Sequence, residues 1–306
     1  MKSALNVPHL CNEEAAIAYV EARMWPDGPI CPHCGVVGEA SRSTGKTTRA
    51  GLWNCRACRK PFTVRMGSIF ESSHVPLHIW LQAIYLMCSS KKGISTRQLQ
   101  RTLGGSMKTA WFLGHRIREA MKTSGGQIGG SGITVEADEA FLGKSPKSRR
   151  EPGERPRMVF SLVERGGQQR SMFLDHKSVQ GAIWQHLDRD SRLVTDGAVH
   201  YRNIMPLGQH ASVDHSKGEF VRDDVHTNTL EGFFSIFKRG LIGVYQHMDD
   251  KHLDRYLAEF DFRMNTREKL GINDAQRAEL AVINAKGKRL TYQTPRRGTS
   301  AQAGLA

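Results

Sequence analysis

The spacing of apolar positions changes along the chain, from helical, through a turn-rich stretch, to alternating. Between Asn12 and Met24, Ala15, Ile17, Ala18 and Val20 make one apolar side and predict an amphipathic helix. Residues 31–70 are rich in turns and cysteine. Leu77–Ser89, LHIWLQAIYLMCS, is longer than a typical strand, is unbroken by Gly or Pro, and predicts a buried helix. Ser95-Thr96-Arg97-Gln98 has capping-box spacing, and Leu99 and Leu103 continue a helix that Gly104-Gly105 stops. Ser106 opens another, through Ala110, Leu113, Ile117 and Met121. The second of these helices carries Lys108, His115, Arg116 and Arg118 across a glycine turn from the first, the layout of a helix-turn-helix. An ordinary helical hairpin with a solvated basic face shows the same pattern.

Residues 122–132, KTSGGQIGGSG, hold five glycines in eleven positions and predict a linker. Beyond it the period becomes that of strands. Ile133–Asp138 alternates, and Met158–Val163 and Ser171–Leu174 are short apolar runs flanking Gly166-Gly167, as a hairpin requires. A helix over Val179–Leu187 and a strand over Arg192–Thr195 follow. Strands first, then strands alternating with helices, predict a mixed α/β domain.

The expected divisions are therefore an N-terminal helix with a cysteine-rich module (1–72), a helical region (73–122), a linker (123–132), the α/β domain (133–285) and a disordered basic tail (286–306). With 306 residues the chain has room for this. No apolar run is long enough to span a bilayer and the first residues lead into no apolar signal core, so a prokaryotic cytoplasm, with the nucleoid in reach, is the expected location.

Charge sharpens the picture. The chain carries +14, and residues 1–125 hold 17 Lys and Arg against 7 Asp and Glu. A basic front half suits a polyanion, since each phosphate neutralised releases counterions. Residues 143–157, GKSPKSRREPGERPR, hold six basic residues against two acidic ones, either a solvated loop or one that grips a nucleic-acid backbone.

Cys31-Pro-His-Cys34 and Cys55-Arg-Ala-Cys58 are two C-x2-C pairs separated by twenty residues. Such pairs converge four thiolates on one tetrahedral Zn2+. Four protein ligands close the coordination sphere, so the zinc is structural; metal ligation offsets the small core of about forty residues. Trp53 and Phe62 are expected to pack over the metal, and Arg56, Arg59 and Lys60 to suit phosphate contact. Cys11 and Cys88 stand alone, the latter in the core, and His33 is a surface residue rather than a fifth ligand.

Three acids are candidates for a second metal centre. Asp138 is expected at the end of the first strand, Asp196 at the end of a later one, and Glu231 on a helix. Two strand-end carboxylates and one from a flanking helix can hold two divalent cations for in-line phosphoryl displacement, and oxygen ligands favour Mg2+ or Mn2+. Each has a plainer reading. Asp196 before Gly197 suits a turn, Glu231 three residues after Asn228 suits a capping box, and any of Glu136, Asp138 and Glu139 could face water. On the helix, Leu230, Phe233, Phe234, Phe237 and Leu241 mark the buried stripe, leaving Glu231, Ser235 and Lys238 together on another face.

The stretches CPHCG, WNCRACRKPFTVRMGSIFESS, TAWFLGHRIREAM, VEADEAFLGK, VTDGAVHY, HTNTLEGFFSIFKRGLIGVYQH and KHLDRYLAEFDFRMNTR together resemble bacterial insertion-sequence transposases with an N-terminal zinc ribbon and a DDE domain, the ISXO type. The resemblance spans roughly residues 15–270. It implies an RNase H-like catalytic domain and Mg2+-dependent hydrolysis at transposon ends, exposing a 3′-hydroxyl that attacks target DNA. Asp138 and Asp196 match the first two acids. Glu231 is taken as the third, with Asn228 as the alternate, because Lys238 completes an E-x6-K spacing; Lys238 and Arg239 are then expected near DNA, with Lys108, Arg116 and Arg118. The implied partners are double-stranded transposon ends and target, and another copy of the chain. A DNA-binding regulator with an inactive nuclease domain, or a nuclease that cuts without joining, would share these motifs.

Overall fold

The computed structural model describes residues 3–45, 47–123, 125–143, 157–174, 178–201, 204 and 209–291. The basic stretch 144–156 and the tail beyond 291 lie outside them.

The chain opens with α1 (Pro8–Cys11) and α2 (Glu13–Met24), the latter capped by Asn12, whose side chain accepts from the Ala15 N–H (2.9 Å). A three-stranded antiparallel ribbon follows, β1 (Ala40–Arg42), β2 (Trp53–Cys55) and β3 (Pro61–Phe62). Next come α3 (Leu77–Ser89), α4 (Thr96–Leu103) and α5 (Met107–Met121), as the apolar spacing predicts, with Ser95 and Ser106 capping α4 and α5 through their hydroxyls.

The second half is a five-stranded mixed sheet: β4 (Thr134–Leu142), β5 (Arg157–Glu164), β6 (Gln169–Phe173), β7 (Arg192–Asp196) and β8 (Gln209–Val213), in the order β6-β5-β4-β7-β8. The hairpin strands β4, β5 and β6 pair antiparallel, whereas β7 and β8 join parallel to β4. One face, with Val135, Ala137, Leu162 and Leu193, packs on α6 (Val179–His186). The other, with Ala140, Leu142, Val159 and Val163, packs on α7 (Asn228–Gly240) and α8 (Asp250–Asn265). Alternation along β4 thus turns Glu136 and Asp138 toward α7. The outer strand β6 is closed to further pairing by α8. Asn265, Asp261 and Asp254, on one face of that helix, accept from the backbone N–H groups of Gln169, Ser171 and Phe173 in turn.

Three expectations need correction. The glycine-rich segment is no free linker. Ile128 is buried in the sheet's core and bridges Leu187, while Gly129 and Gly130 donate to Glu164 (2.8 Å) and Ser191 (2.9 Å). The α/β span does not close on itself either: its last helix, α9 (Asp274–Ile283), buries Ala278, Ala281 and Val282 in the same core as α2, α3 and α5.

The third correction concerns α5. Only its first turn, with Lys108, is exposed; Arg116 and Arg118 are 2% and 3% exposed. Arg116 donates to the Glu71 carbonyl and stacks on Phe112. Arg118 donates through Nε to Glu259 on α8 (2.6 Å), whose carboxylate also takes Arg263 and the Tyr245 hydroxyl. Neither guanidinium is placed to meet a phosphate, because each is spent inside the protein. Burial pushes the Glu259 carboxyl up, but Arg118, Arg263 and Tyr245 overcome it and hold it at about 2. A carboxyl held below its unfolded value stabilises above pH about 4.5 and loses that contribution as pH falls toward 2. Glu259→Gln, which strands two buried guanidiniums, is expected to cost about 3–5 kcal/mol in urea melts. The gap from wild type should be constant above pH about 4.5 and shrink in acid; a gap independent of pH would remove the ionised pair from the account.

Candidate active site and zinc centre

The two C-x2-C pairs occupy matching knuckles. In the first, Gly35 N–H returns to the Cys31 carbonyl (2.9 Å), with Gly35 at φ +77°. In the second, Arg59 N–H returns to the Cys55 carbonyl (3.0 Å), with Arg59 at φ +58°. The sulfurs stand 3.6 Å apart for Cys31 and Cys58, 3.7 Å for Cys34 and Cys55, and all four lie within 4.8 Å of one another. A tetrahedron of thiolates about 2.3 Å from zinc has edges of about 3.8 Å, so the cluster fits the ion. Trp25 bridges the ribbon to α2, its ring meeting Trp53 and Phe62 edge-on at 6.3 and 5.7 Å. Arg56, Arg59, Lys60 and His33 are exposed, and His33 Nε2 lies 3.3 Å from the Pro61 carbonyl.

The acidic centre forms where β4 outruns β7. The two strands pair from Thr134↔Arg192 to Glu136↔Val194, a register that continues to put Asp138 level with Asp196. Asp196 ends β7 as expected, but Asp138 lies mid-strand, opposite Ser161, because β4 continues to Leu142 in its hairpin with β5. Level residues on parallel strands share a face, so both aspartates look toward α7, where Glu231 sits one turn in.

Burial raises the Asp138 carboxyl to about 7, and Glu139, Asp196 and Glu231 push it the same way, while the Glu139 N–H it accepts (2.8 Å) pulls against them. Asp196 and Glu231 are therefore each close enough to act on Asp138. The three carboxylates are not as tight as the cysteines, which among the described residues form the only group of three or more potential ligands all within 4.8 Å. A centre for two ions spreads its ligands wider than one ion does, and three hard oxygen donors short of positive charge suit Mg2+ or Mn2+.

Glu231 is 46% exposed; its Oε1 lies 3.4 Å from the Thr227 hydroxyl and 3.7 Å from His215 Nε2. Asn228 opens α7 and is exposed, as is Lys238 two turns beyond Glu231. Arg239 is exposed and folds back to the Ser235 carbonyl (3.0 Å) and hydroxyl. No capping box forms between Asn228 and Glu231, since the N-cap is Thr227 and makes no side-chain cap bond.

Several neighbours do not stand out in the sequence. Glu139 accepts from the Tyr201 hydroxyl (2.7 Å) and lies 3.1 Å from His200 Nε2. Glu136, 0% exposed, accepts from Thr229 and Arg165, and His226 Nδ1 lies 3.5 Å from its Oε1. A signal for Glu136 exists: two residues from Asp138 in a strand is the same face.

Residues 128–265 match the ISXO2-like transposase domain, and residues 11–61 match the transposase zinc-ribbon domain. The chain thus carries an ISXO2-like transposase domain behind a transposase zinc ribbon. An uncharacterized protein in transposable element ISH50 of Halobacterium salinarum is 26% identical over 269 residues, covering 81% of this chain and 89% of that protein. No solved structure matches. Asp138, Asp196 and Glu231 lie inside the matched transposase domain, and all four cysteines inside the matched ribbon. The five-stranded mixed sheet with helices on both faces is RNase H-like, and the family is one of nucleotidyl-transfer enzymes. Among the described residues no helix is long and apolar enough to cross a membrane.

Proposed function

We propose that this transposase binds the ends of its element as paired copies, hydrolyses a phosphodiester at each end and transfers the exposed 3′-hydroxyl into target DNA. The observation that carries this reading is the level placement of Asp138 and Asp196 facing Glu231, in a site where burial and like charge hold Asp138 near pH 7. Asp138, Asp196 and Glu231 would hold two Mg2+ or Mn2+ ions, with Asn228 as the other candidate on α7. When bound, these ions supply the charge that lowers the cost of both the attacking and the leaving oxygen. Lys238, exposed along the same helix face, would pair with a DNA phosphate.

Purified protein incubated with labelled duplexes from both flanks of the gene, a target plasmid and Mg2+ tests this. Joined products are expected. Cut ends without joining would reduce the enzyme to a nuclease, and bound but intact DNA under either metal would reduce it to a regulator.

End binding has its own support. Residues 72–118 contain no Asp or Glu. With Arg116 and Arg118 buried, the exposed cations of this region are Lys91 and Lys92 before α4, Arg97 and Arg101 on α4, and Lys108 in the first turn of α5. The ribbon adds Arg56, Arg59 and Lys60. Replacing Arg97, Arg101 and Lys108 together by alanine is expected to weaken end binding and flatten its salt dependence, by about 0.9 in log K per log salt for each phosphate no longer neutralised. Anisotropy across a salt series measures this; an unchanged slope would take α4 off the DNA.

A further inference from the structure

We propose that Glu136 is the positioning residue that sets the third carboxylate against the two aspartates, and so sets metal affinity; the inference rests on the two-metal reading above. The sheet itself fixes only Asp138 and Asp196. Glu231 arrives on α7, a separate element, and among the described residues its half-exposed side chain meets loose polar neighbours at 3.4 and 3.7 Å. Its place is therefore dictated by where the first turn of α7 lies.

That turn is held from the sheet. Glu136 Oε2 accepts the Thr229 backbone N–H (3.0 Å) and Oε1 accepts the Thr229 hydroxyl (3.0 Å), two residues before Glu231. Because Thr227 makes no side-chain cap bond, α7 is capped by a residue of β4, which also sets a negative charge at the positive end of the helix. Arg165 locks the same carboxylate through Nε (3.0 Å) and donates to the carbonyls of Asp224 (2.6 Å) and His226 (2.9 Å), on the strand of chain leading into α7. Asp224 in turn pairs with Arg192 at the start of β7. One buried carboxylate thus ties the helix of Glu231 to the strand of Asp138, with a second tie to the strand of Asp196.

Apolar packing of Phe233, Phe234 and Phe237 secures α7 to the sheet but fixes its position along its own axis poorly. Directional bonds to both oxygens of Glu136 do fix it. Changing residues that orient metal ligands generally costs 10–100-fold in metal affinity.

The test uses the full chain with its zinc in place. Mn2+ binding is titrated by electron paramagnetic resonance, and the Mn2+ concentration for half-maximal end cleavage is measured beside it. Asp196→Ala defines the baseline without the centre. Glu136→Gln, which keeps the shape and one acceptor, is expected to weaken Mn2+ binding at least tenfold and to raise the half-saturating Mn2+ by the same factor. Cleavage should largely return at saturating Mn2+, and the end-DNA Kd should not move. Thr229→Val, which removes only the hydroxyl bond, should shift both readouts in the same direction and less. A folded Glu136→Gln protein with wild-type Mn2+ affinity, losing activity only in proportion to its folded fraction, would make Glu136 merely structural and overturn the proposal. Wild-type protein that neither binds Mn2+ at this centre nor cuts would instead sink the two-metal reading beneath it.

Discussion

Asp138→Ala or Asp196→Ala is expected to abolish strand cleavage while leaving end binding nearly intact. Each aspartate is one of the two acids that the sheet itself positions, so neither loss can be made good by a neighbour without moving a strand. The metal charge such a ligand secures is worth several kcal/mol at the transition state, and at about 1.4 kcal/mol per factor of ten its loss lowers the rate on the order of 1000-fold or more. In the proposed reading the cations for end binding lie on the ribbon and around α4, distinct from these residues, so end binding should be unchanged within a factor of about 2. Stability should move the other way. Burial raises the Asp138 carboxyl to about 7, and a carboxyl raised on folding costs stability once pH exceeds its unfolded value, with the full cost reached above the folded one. Asp138→Ala should therefore melt higher than wild type at pH 8 in buffer free of Mg2+, the difference vanishing below pH about 4. Gel assays, anisotropy and thermal melts measure the three quantities; either variant cutting at the wild-type rate would refute the assignment.

What the sequence disclosed and what it hid divide along a physical line. Features set by local pattern were legible. The apolar run at 77–89 is α3 to the residue, the caps at Ser95 and Ser106 are in place, and Phe233, Phe234 and Phe237 are the buried stripe of α7. Features set by tertiary partners were not. Arg118 reads as a surface cation until Glu259, 141 residues away, closes on it. Asp138 reads as a strand end until β5 extends β4 beyond it. Segment 123–132 reads as a linker because glycine dominates it, yet one apolar residue, Ile128, suffices to dock it. Of the candidate site, Asp138, Asp196 and Glu231 were singled out by their match to the transposase motifs, whereas the contacts that hold the start of α7 were concealed, since Glu136 exchanges its bonds with residues some 30 and 90 positions later.

Loss of zinc should be as damaging to DNA recognition as loss of Asp138 is to chemistry, and by a separate route. The ribbon strands are three, three and two residues long, too short to stand without the metal. Zinc contributes about 10–16 kcal/mol to the folding of comparable small modules. Cys55→Ser, which opens the coordination sphere at a buried position, should release zinc and expose residues 31–62 to protease. The damage should stop at α2: Ile17, Val20 and Met24 share their core with α3 and α9, which lie outside the ribbon. The rest of the chain should keep its cooperative melt and its Mn2+ binding at the acidic centre. End binding should fall about 100-fold, because Arg56, Arg59 and Lys60 lose the knuckle that presents them; Arg59 in particular occupies a left-handed conformation that a non-glycine residue adopts only when the surrounding turn enforces it. Zinc content by atomic absorption, limited proteolysis and anisotropy on end duplexes separate these effects. A zinc-free ribbon that still bound ends tightly and selectively would show that recognition resides elsewhere, and α4 with its acid-free surroundings would become the principal DNA contact.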